Sequence, residues 1–147
     1  MTQRAGGYRR TRALGQADYE TLSDLRYLIR RFAAFSEAEA RSAGLTPRQH
    51  QALLAIRGFP GSAPATIGNL AERLSLRPHS AVGLVDRLVS KGLLRRHVDR
   101  ADRRRVRLGL TRRSQALLAG LSLAHRDELR RLAPLLRGLL ARLGRDA

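Results

Sequence analysis

Apolar residues recur every three or four positions over most of the chain, which is the spacing of amphipathic helices. The threonine–proline pair at 46–47 and Thr66 are N-terminal signals, while Gly44 and Gly92 are suited to end helices. Pro134 interrupts the last apolar stripe and predicts a break in that helix. The pattern therefore predicts helices over 18–43, 47–57, 67–74, 78–91, 112–132 and 134–143.

Between the fourth helix and Thr111 the spacing changes from 3.6 to 2, which predicts two β-strands. The apolar positions expected to pack on the body are Leu94 and Val98 on the first strand, and Val106, Leu108 and Leu110 on the second. An arginine-rich turn lies between the strands. The two segments therefore predict a hairpin, and Thr111 is expected to cap the helix that follows.

The order of these elements predicts a fold class. A short helix, a tight turn at 75–77 and a second helix, followed by a hairpin, form a winged helix-turn-helix. We therefore expect a mainly α protein with one domain over 18–147, in which 46–110 is the winged lobe. Residues 1–17 have little apolar periodicity and are expected to be a flexible basic arm.

The charge of the chain limits the classes of partner that it can bind. Lysine and arginine number 29 against 12 aspartates and glutamates, a net charge of +17, and Lys91 is the only lysine. This balance predicts a polyanionic partner, either nucleic acid or an anionic membrane surface. Because the chain has neither a secretory apolar region after its first arginines nor a run of about 18 apolar residues, we expect a soluble, cytoplasmic protein.

Several kinds of chemistry are disfavoured by the sequence. The chain has no cysteine, which excludes disulfides, thiolate metal sites, cysteine nucleophiles and thiol-based redox sensing. The four histidines stand singly, without the spacing of metal ligands. No phosphate loop or nucleophile–base pair is present. We therefore expect no metal, no cofactor and no enzymatic activity.

The fourth predicted helix has two different faces. Its apolar stripe consists of Ala81, Leu84, Val85 and Leu88. The opposite face begins with His79, Ser80 and Gly83, whose small or polar side chains suit close approach to base edges in a major groove. An ordinary amphipathic surface helix would show a similar pattern. The basic hairpin that follows favours the DNA-binding interpretation.

The hairpin combines arginines with two aspartates. Residues 95–113 hold nine arginines, and guanidinium groups at a hairpin tip fit the negative potential of a minor groove. Asp99 and Asp102 are expected to order the turn by pairing with arginines; the alternative is surface salt bridges worth about 0–1 kcal/mol each. The candidate DNA-binding residues are Arg77, His79, Ser80, Gly83, Arg87, Arg100, Arg103, Arg104 and Arg105.

Three segments of the chain resemble the MarR (multiple antibiotic resistance regulator) family of bacterial transcription factors. They read TPRQHQALLAIRG, TIGNLAERLSLRPHSAVGLVDRLVSKGLL and DRADRRRVRLGLT, and the resemblance covers roughly residues 18–143. Its most specific part is the turn of the hairpin, where Asp99, Asp102 and Arg104 fit the family pattern Asp-x-x-Asp-x-Arg followed by a strand and Leu-Thr. By this match Arg104 is the main residue of the wing.

The resemblance implies a homodimer that binds a pseudo-palindromic DNA site, most often as a repressor. Helices at 18–45 and 111–147 would interlock in the dimer, and the surplus of leucines in the last helices is compatible with this role. The family often binds a small phenolic or aromatic carboxylate ligand between these helices and the DNA-binding lobe. Candidate ligand residues are Tyr27, Arg31, Phe35 and His50, although such a stripe is more commonly plain core.

One other class of function stays open. A sequence-tolerant architectural DNA-binding protein without an effector would also suit a charge of +17. It would not require a dedicated major-groove face such as the one that His79 and Ser80 begin.

Overall fold

The computed structural model of the chain describes residues 13–144, so most of the predicted arm (1–12) and residues 145–147 lie outside the described part. Its elements are α1 (Gln16–Ser42), α2 (Pro47–Arg57), α3 (Ile67–Arg73), α4 (Pro78–Ser90), β1 (Leu94–Val98), β2 (Val106–Leu110) and α5 (Arg112–Gly144). The first helix begins two residues before the predicted Asp18, because the Asp18 carboxylate accepts a hydrogen bond from the Gly15 amide at 2.7 Å and caps the helix there.

Reciprocal hydrogen bonds fix the starts of α2 and α3. Thr46 Oγ1 accepts from the Gln49 amide at 3.1 Å, while Gln49 Oε1 accepts from the Thr46 amide at 3.0 Å. Thr66 and Asn69 form the same arrangement, at 3.1 and 2.9 Å. Each box satisfies two backbone donors, and an N-cap side chain of this kind is worth about 0.5–2 kcal/mol. Both predicted helix starts are confirmed.

The main core lies where α2, α3 and α4 meet the base of the hairpin and the first turns of α5. Its largest fully buried side chains are Leu53, Leu70, Val85, Leu88 and Leu108. The core is almost entirely aliphatic, as the low aromatic content of 4% suggests. The buried stripe of α4 is the predicted one, so the opposite face of that helix is directed away from the core.

The last helix is continuous, and the predicted break at Pro134 is wrong. Proline in a helix interior removes one backbone donor and costs about 3 kcal/mol. Leu132 and Leu139, on either side of it, are buried together with Leu28 of α1. This packing holds both halves of α5 on the same neighbour and outweighs the local preference of proline.

The two strands form an antiparallel hairpin, here called the wing (residues 94–110), in which Leu94 lies opposite Leu110 and Val98 opposite Val106. Leu94 and Leu108 are buried, as predicted. Val98 is 62% exposed, and the prediction that it packs on the body is wrong. The reason is that the outer half of the wing extends beyond the helices that cover its base.

The wing is also attached to the segment before α3. The Leu108 amide donates to the Ala65 carbonyl at 2.8 Å, and Thr66 forms an isolated antiparallel bridge with Arg107. The second strand therefore has backbone partners on both sides over part of its length. This arrangement places the wing beside the helix-turn-helix rather than at a distance from it.

The outer helices α1 and α5 pack against each other and leave apolar side chains uncovered. Those exposed are Tyr19, Leu22, Tyr27 and Ile29 on α1, and Leu123, Leu129, Leu135, Leu136, Leu140 and Leu143 on α5. A groove between the two helices is lined by Leu25, Leu28, Ile29, Phe32, Leu129, Leu132, Ala133 and Leu136. No helix within residues 13–144 is long and apolar enough to cross a membrane.

Candidate nucleic-acid interface

The outward face of α4 carries small and polar side chains at its beginning. His79 and Arg87 are exposed, whereas Ser80 and Gly83 are half-buried. A side-chain carbon at Gly83 would lie 3.5 Å from Arg87 Nη1, so the Arg87 guanidinium folds back over the glycine. Near its N-terminus this face therefore carries small or polar side chains, and the Arg87 guanidinium partly covers Gly83.

A tight turn at residues 75–77 connects α3 to the first turn of α4. Ser75 adopts φ +52°, a left-handed conformation, and the Leu76 amide donates to the Ala71 carbonyl at 2.8 Å. Pro78 occupies the first helical position. Within the described part of the chain, the N-cap residue Arg77 makes no side-chain capping hydrogen bond. The amides of the first turn are thus suited to an anion supplied from outside.

An ion pair joins α4 to the wing. Arg96 on β1 donates to the carboxylate of Asp86, and both side chains are substantially exposed. Asp86 belongs to the polar face of α4, and its negative charge is here opposed by an arginine of the same lobe. The pair also links the orientation of the hairpin to that of the helix.

Asp99 accepts several hydrogen bonds at the beginning of the wing turn. Its Oδ1 accepts hydrogen bonds from the Ala101 amide at 2.7 Å and the Asp102 amide at 3.3 Å, and its Oδ2 accepts from Arg107 Nε at 2.7 Å. These hydrogen bonds, that of the Ala101 amide first, lower the pKa of Asp99 below its ordinary value. The side chain is only 11% exposed. Asp99 is therefore charged and fully engaged within the wing.

Asp102 holds the far side of the turn. Its Oδ1 accepts from the amide and from Nε of Arg104, at 3.0 and 3.2 Å, and its Oδ2 lies 3.8 Å from Arg105 Nε. The Arg105 amide in turn donates to the Asp102 carbonyl at 3.0 Å. Both aspartates thus pair with arginines of the wing.

The predicted wing arginines surround the tip of the hairpin. Arg100, Arg103, Arg104 and Arg105 are all exposed. The Arg104 side chain is 93% exposed although Nε contacts Asp102, so its guanidinium extends into solvent from a fixed base. The tip therefore presents several cations on a turn whose backbone amides donate to the two carboxylates.

Arg107 was missed among the functional candidates. Its guanidinium contacts Asp99 and the Pro64 carbonyl, and its side chain is only 21% exposed. The signal for it is register: His97 lies opposite Arg107, which places Asp99 diagonally across the same face of the hairpin. Without the register, Arg107 could not be distinguished from the exposed arginines around it.

The four candidate ligand residues fall into two groups that the structure does not bring together. Tyr27 is 57% exposed, and the guanidinium carbon of Arg31 lies 5.8 Å from its ring centre on the outer surface of α1. Phe35 and His50 instead converge on His125 of α5, with ring centres 5.3 and 4.8 Å from it. The four residues therefore do not line one cleft.

His50 and His125 form a buried pair where α1, α2 and α5 meet. His125 Nδ1 lies 2.7 Å from the Leu121 carbonyl, which can only accept, so Nδ1 carries a proton; Nε2 lies 2.8 Å from the Ser36 hydroxyl. His50 Nδ1 is buried and has no hydrogen-bond partner among the described residues. Burial and the neighbouring His125 lower the pKa of His50. Burial at this junction therefore favours the neutral form of the His50 ring.

Comparison with known families and structures agrees with this geometry. A family model described as MarR family matches residues 43–105, which span α2 to the wing turn. A search of curated proteins gave no significant match.

Many solved structures share the fold. A probable transcriptional regulator from Pseudomonas aeruginosa is 32% identical, with 81% of this chain and 92% of that chain covered and a TM-score of 0.59. The regulator Tm0710 from Thermotoga maritima is 27% identical, with 80% and 81% covered and a TM-score of 0.63. A MepR variant from S. aureus bound to an oligodeoxyribonucleotide is 20% identical, with 86% and 94% covered and a TM-score of 0.63.

Proposed function

Because this chain belongs to the MarR family and is a DNA-binding transcriptional regulator, we propose that it represses transcription by binding a pseudo-palindromic operator as a homodimer. The proposal rests above all on one observation: the start of α4, with its small and polar side chains, and the arginine-rich wing belong to a single lobe. The Asp86–Arg96 ion pair joins them. The proposed place of action is the cytoplasm, where bacterial DNA lies.

In the proposed complex, α4 enters the major groove. His79, Ser80 and Gly83 face base edges, because they lie on the outward face of α4 and are small or polar; close approach at Gly83 requires the Arg87 guanidinium to move aside. The amides of the first turn and the side chain of Arg77 bind a phosphate. Arg87 lies further along the same face and contacts the flanking backbone.

The wing docks beside α4. Arg103 and Arg104 enter the minor groove, whose negative potential attracts guanidinium groups, and Arg100 and Arg105 bind phosphates nearby. The MepR variant bound to an oligodeoxyribonucleotide supports the use of this fold on DNA. The net charge of +17 supports a large phosphate-binding contribution to affinity.

The dimer is proposed to form through α1 and α5. These helices expose many large apolar side chains and a continuous apolar groove, which a single copy leaves in contact with water. A twofold dimer would cover this face and would set two α4 helices against the two halves of an inverted repeat. The proposed domain division, 18–45 and 111–147 for the dimer and 46–110 for DNA, follows from this arrangement.

Release of the operator is proposed to involve a small aromatic carboxylate or phenol. Phe35 and His50 support a site at the junction of the outer helices and the DNA-binding lobe, because their rings meet there beside His125. Tyr27 and Arg31 contact each other on the exposed side of α1 instead. Thermal-shift measurements with aromatic acids test this part: a stabilisation that depends on His50 is expected, and its absence for every acid would contradict it.

A nuclease footprint on the DNA around the gene tests the central proposal. A regulator protects one short inverted repeat at low protein concentration, and its dimer covers both halves together. An architectural protein, which the charge of +17 would also suit, protects all sequences alike. Uniform protection would therefore contradict operator recognition and favour the architectural function.

A further inference from the structure

Arg107 differs from the other arginines of the wing in the direction of its side chain. Nε and Nη2 each lie 2.7 Å from Asp99 Oδ2, and Nη1 donates to the Pro64 carbonyl at 2.6 Å. All three guanidinium nitrogens are thus used within the protein. With 21% of its side chain exposed, against 93% for Arg104, Arg107 presents little surface to DNA.

These contacts connect three segments of the chain. Asp99 also fixes the start of the wing turn through the Ala101 and Asp102 amides. Pro64 belongs to the loop before α3, where the Leu108 amide donates to the next carbonyl, that of Ala65. A single guanidinium therefore joins the wing turn, the second strand and the loop that leads into the helix-turn-helix.

We propose that Arg107 is a positioning residue for DNA binding, which holds the wing at the angle that brings its tip to the groove without touching DNA itself. The inference rests on the proposed function. An isolated two-stranded hairpin is marginally stable in water, and Val98 in the outer half of this one is 62% exposed. Fixing it in advance lowers the entropy that must be lost when the tip arginines bind.

Salt dependence separates positioning from contact. An arginine that neutralises a phosphate releases counterions, so removing it makes the slope of log K against log salt shallower by about one unit for each wing. The charge of Arg107 is already opposed by Asp99, so Arg107 releases no counterion when the protein binds DNA. Its removal should therefore leave the number of released counterions unchanged. Positioning therefore predicts weaker binding with an unchanged slope.

The experiment compares Arg107→Gln with Arg103→Gln on operator DNA and on random duplex, over a range of salt. Arg107→Gln is expected to weaken binding to both by about tenfold, the entropy of ordering one or two arginine side chains, and to leave the slope as in the unaltered protein. Arg103→Gln is expected to make the slope shallower. Unchanged affinity for Arg107→Gln, or a slope that falls as in Arg103→Gln, would overturn the proposal.

Asp99→Asn is the second variant, since it weakens the same contact without removing the arginine. It should reproduce the direction of the Arg107→Gln effect, and the two changes together should do little more than the larger one alone. Hydrogen exchange supplies a readout inside the wing: the Leu108 amide should exchange faster in both variants while the helices stay protected. Independent, additive effects would contradict a shared clamp. Because random duplex is measured too, failure to find a discrete operator would count against the proposed function and leave the test of Arg107 intact.

Discussion

Replacement of Asp102 by alanine separates two explanations for an acidic residue in a DNA-binding turn. If Asp102 is only surface charge, its removal should strengthen binding, because one repulsive charge is lost. At about 8 Å from a phosphate in water this gain is roughly 0.5 kcal/mol, and less at physiological salt, where the Debye length is about 8 Å. If Asp102 orders the turn, its removal should weaken binding.

The contacts of Asp102 set the size of the opposing effect. It holds the amide and Nε of Arg104 and lies near Arg105 Nε, so its loss frees two long side chains. Ordering such side chains on binding costs about 0.5–1.5 kcal/mol each, which is about 1–3 kcal/mol per wing; we take about 1.5 kcal/mol, because Arg105 Nε lies 3.8 Å from the carboxylate and is held less firmly than Arg104. After the electrostatic gain is subtracted, about 1 kcal/mol per wing remains. For two wings we expect roughly 30-fold weaker operator binding.

Fluorescence anisotropy with a labelled operator at fixed salt measures this difference. Asp127→Ala is the matched control, since Asp127 is also exposed and its partners within residues 13–144 are nearby arginines, but it lies on α5. It removes the same charge and should change operator binding little. Tighter binding by Asp102→Ala would refute the ordering role and show that the aspartate is surface charge.

The other predictions concern bases, assembly and pH. Ser80→Ala or His79→Ala should weaken operator binding by about 1–3 kcal/mol and leave random-DNA binding almost unchanged; equal losses on both would contradict a base contact. Sedimentation at micromolar concentration should show a species of twice the chain mass, and deletion of 134–147 should reduce it to a monomer; an unaltered protein that is monomeric would contradict the dimer. Since the folded-state pKa of His50 is lowered, the unfolded chain takes up its proton first as pH falls below about 6.5, so the free energy of unfolding should decrease there. Urea unfolding across this range should show a smaller decrease in His50→Leu, and an equal decrease would assign the effect to other groups.

Local signals in the sequence identified most of the DNA-binding lobe. Thr46 and Thr66 cap helices through residues only three positions away, so their effect is visible in a short stretch of sequence. The buried stripe of α4 follows from periodicity alone. The family resemblance, carried by the wing motif and the α2–α4 segments, is confirmed by the family match and the fold.

What the sequence could not supply depends on distant neighbours. Pro134 lies in an unbroken helix because α1 packs against residues before and after it, Leu132 and Leu139. This packing cannot be predicted from the sequence around the proline. The contact between Arg107 and Asp99 could be found only from the strand register. The exposure of Val98 depends on how far the wing extends beyond the body. His125 meets Ser36 across 89 positions of sequence, so its partnership with His50 was invisible beforehand.

Because α5 is one continuous helix, a small tilt at one of its ends produces a large displacement at the other. Its 33 residues span about 50 Å, and its first turn is fastened to the end of α4: Thr111 Oγ1 donates to the Gly92 carbonyl at 2.8 Å, and Arg113 Nη1 to that of Lys91 at 2.9 Å. A tilt of the whole helix by about 5° about its far end moves the near end by about 4 Å. One inserted base pair separates two half-sites by about 3.4 Å and also turns them about the DNA axis. In a dimer joined through the far ends of α5, such an insertion would have to be accommodated by tilting whole helices. The affinity for DNA would therefore depend on the spacing of the half-sites.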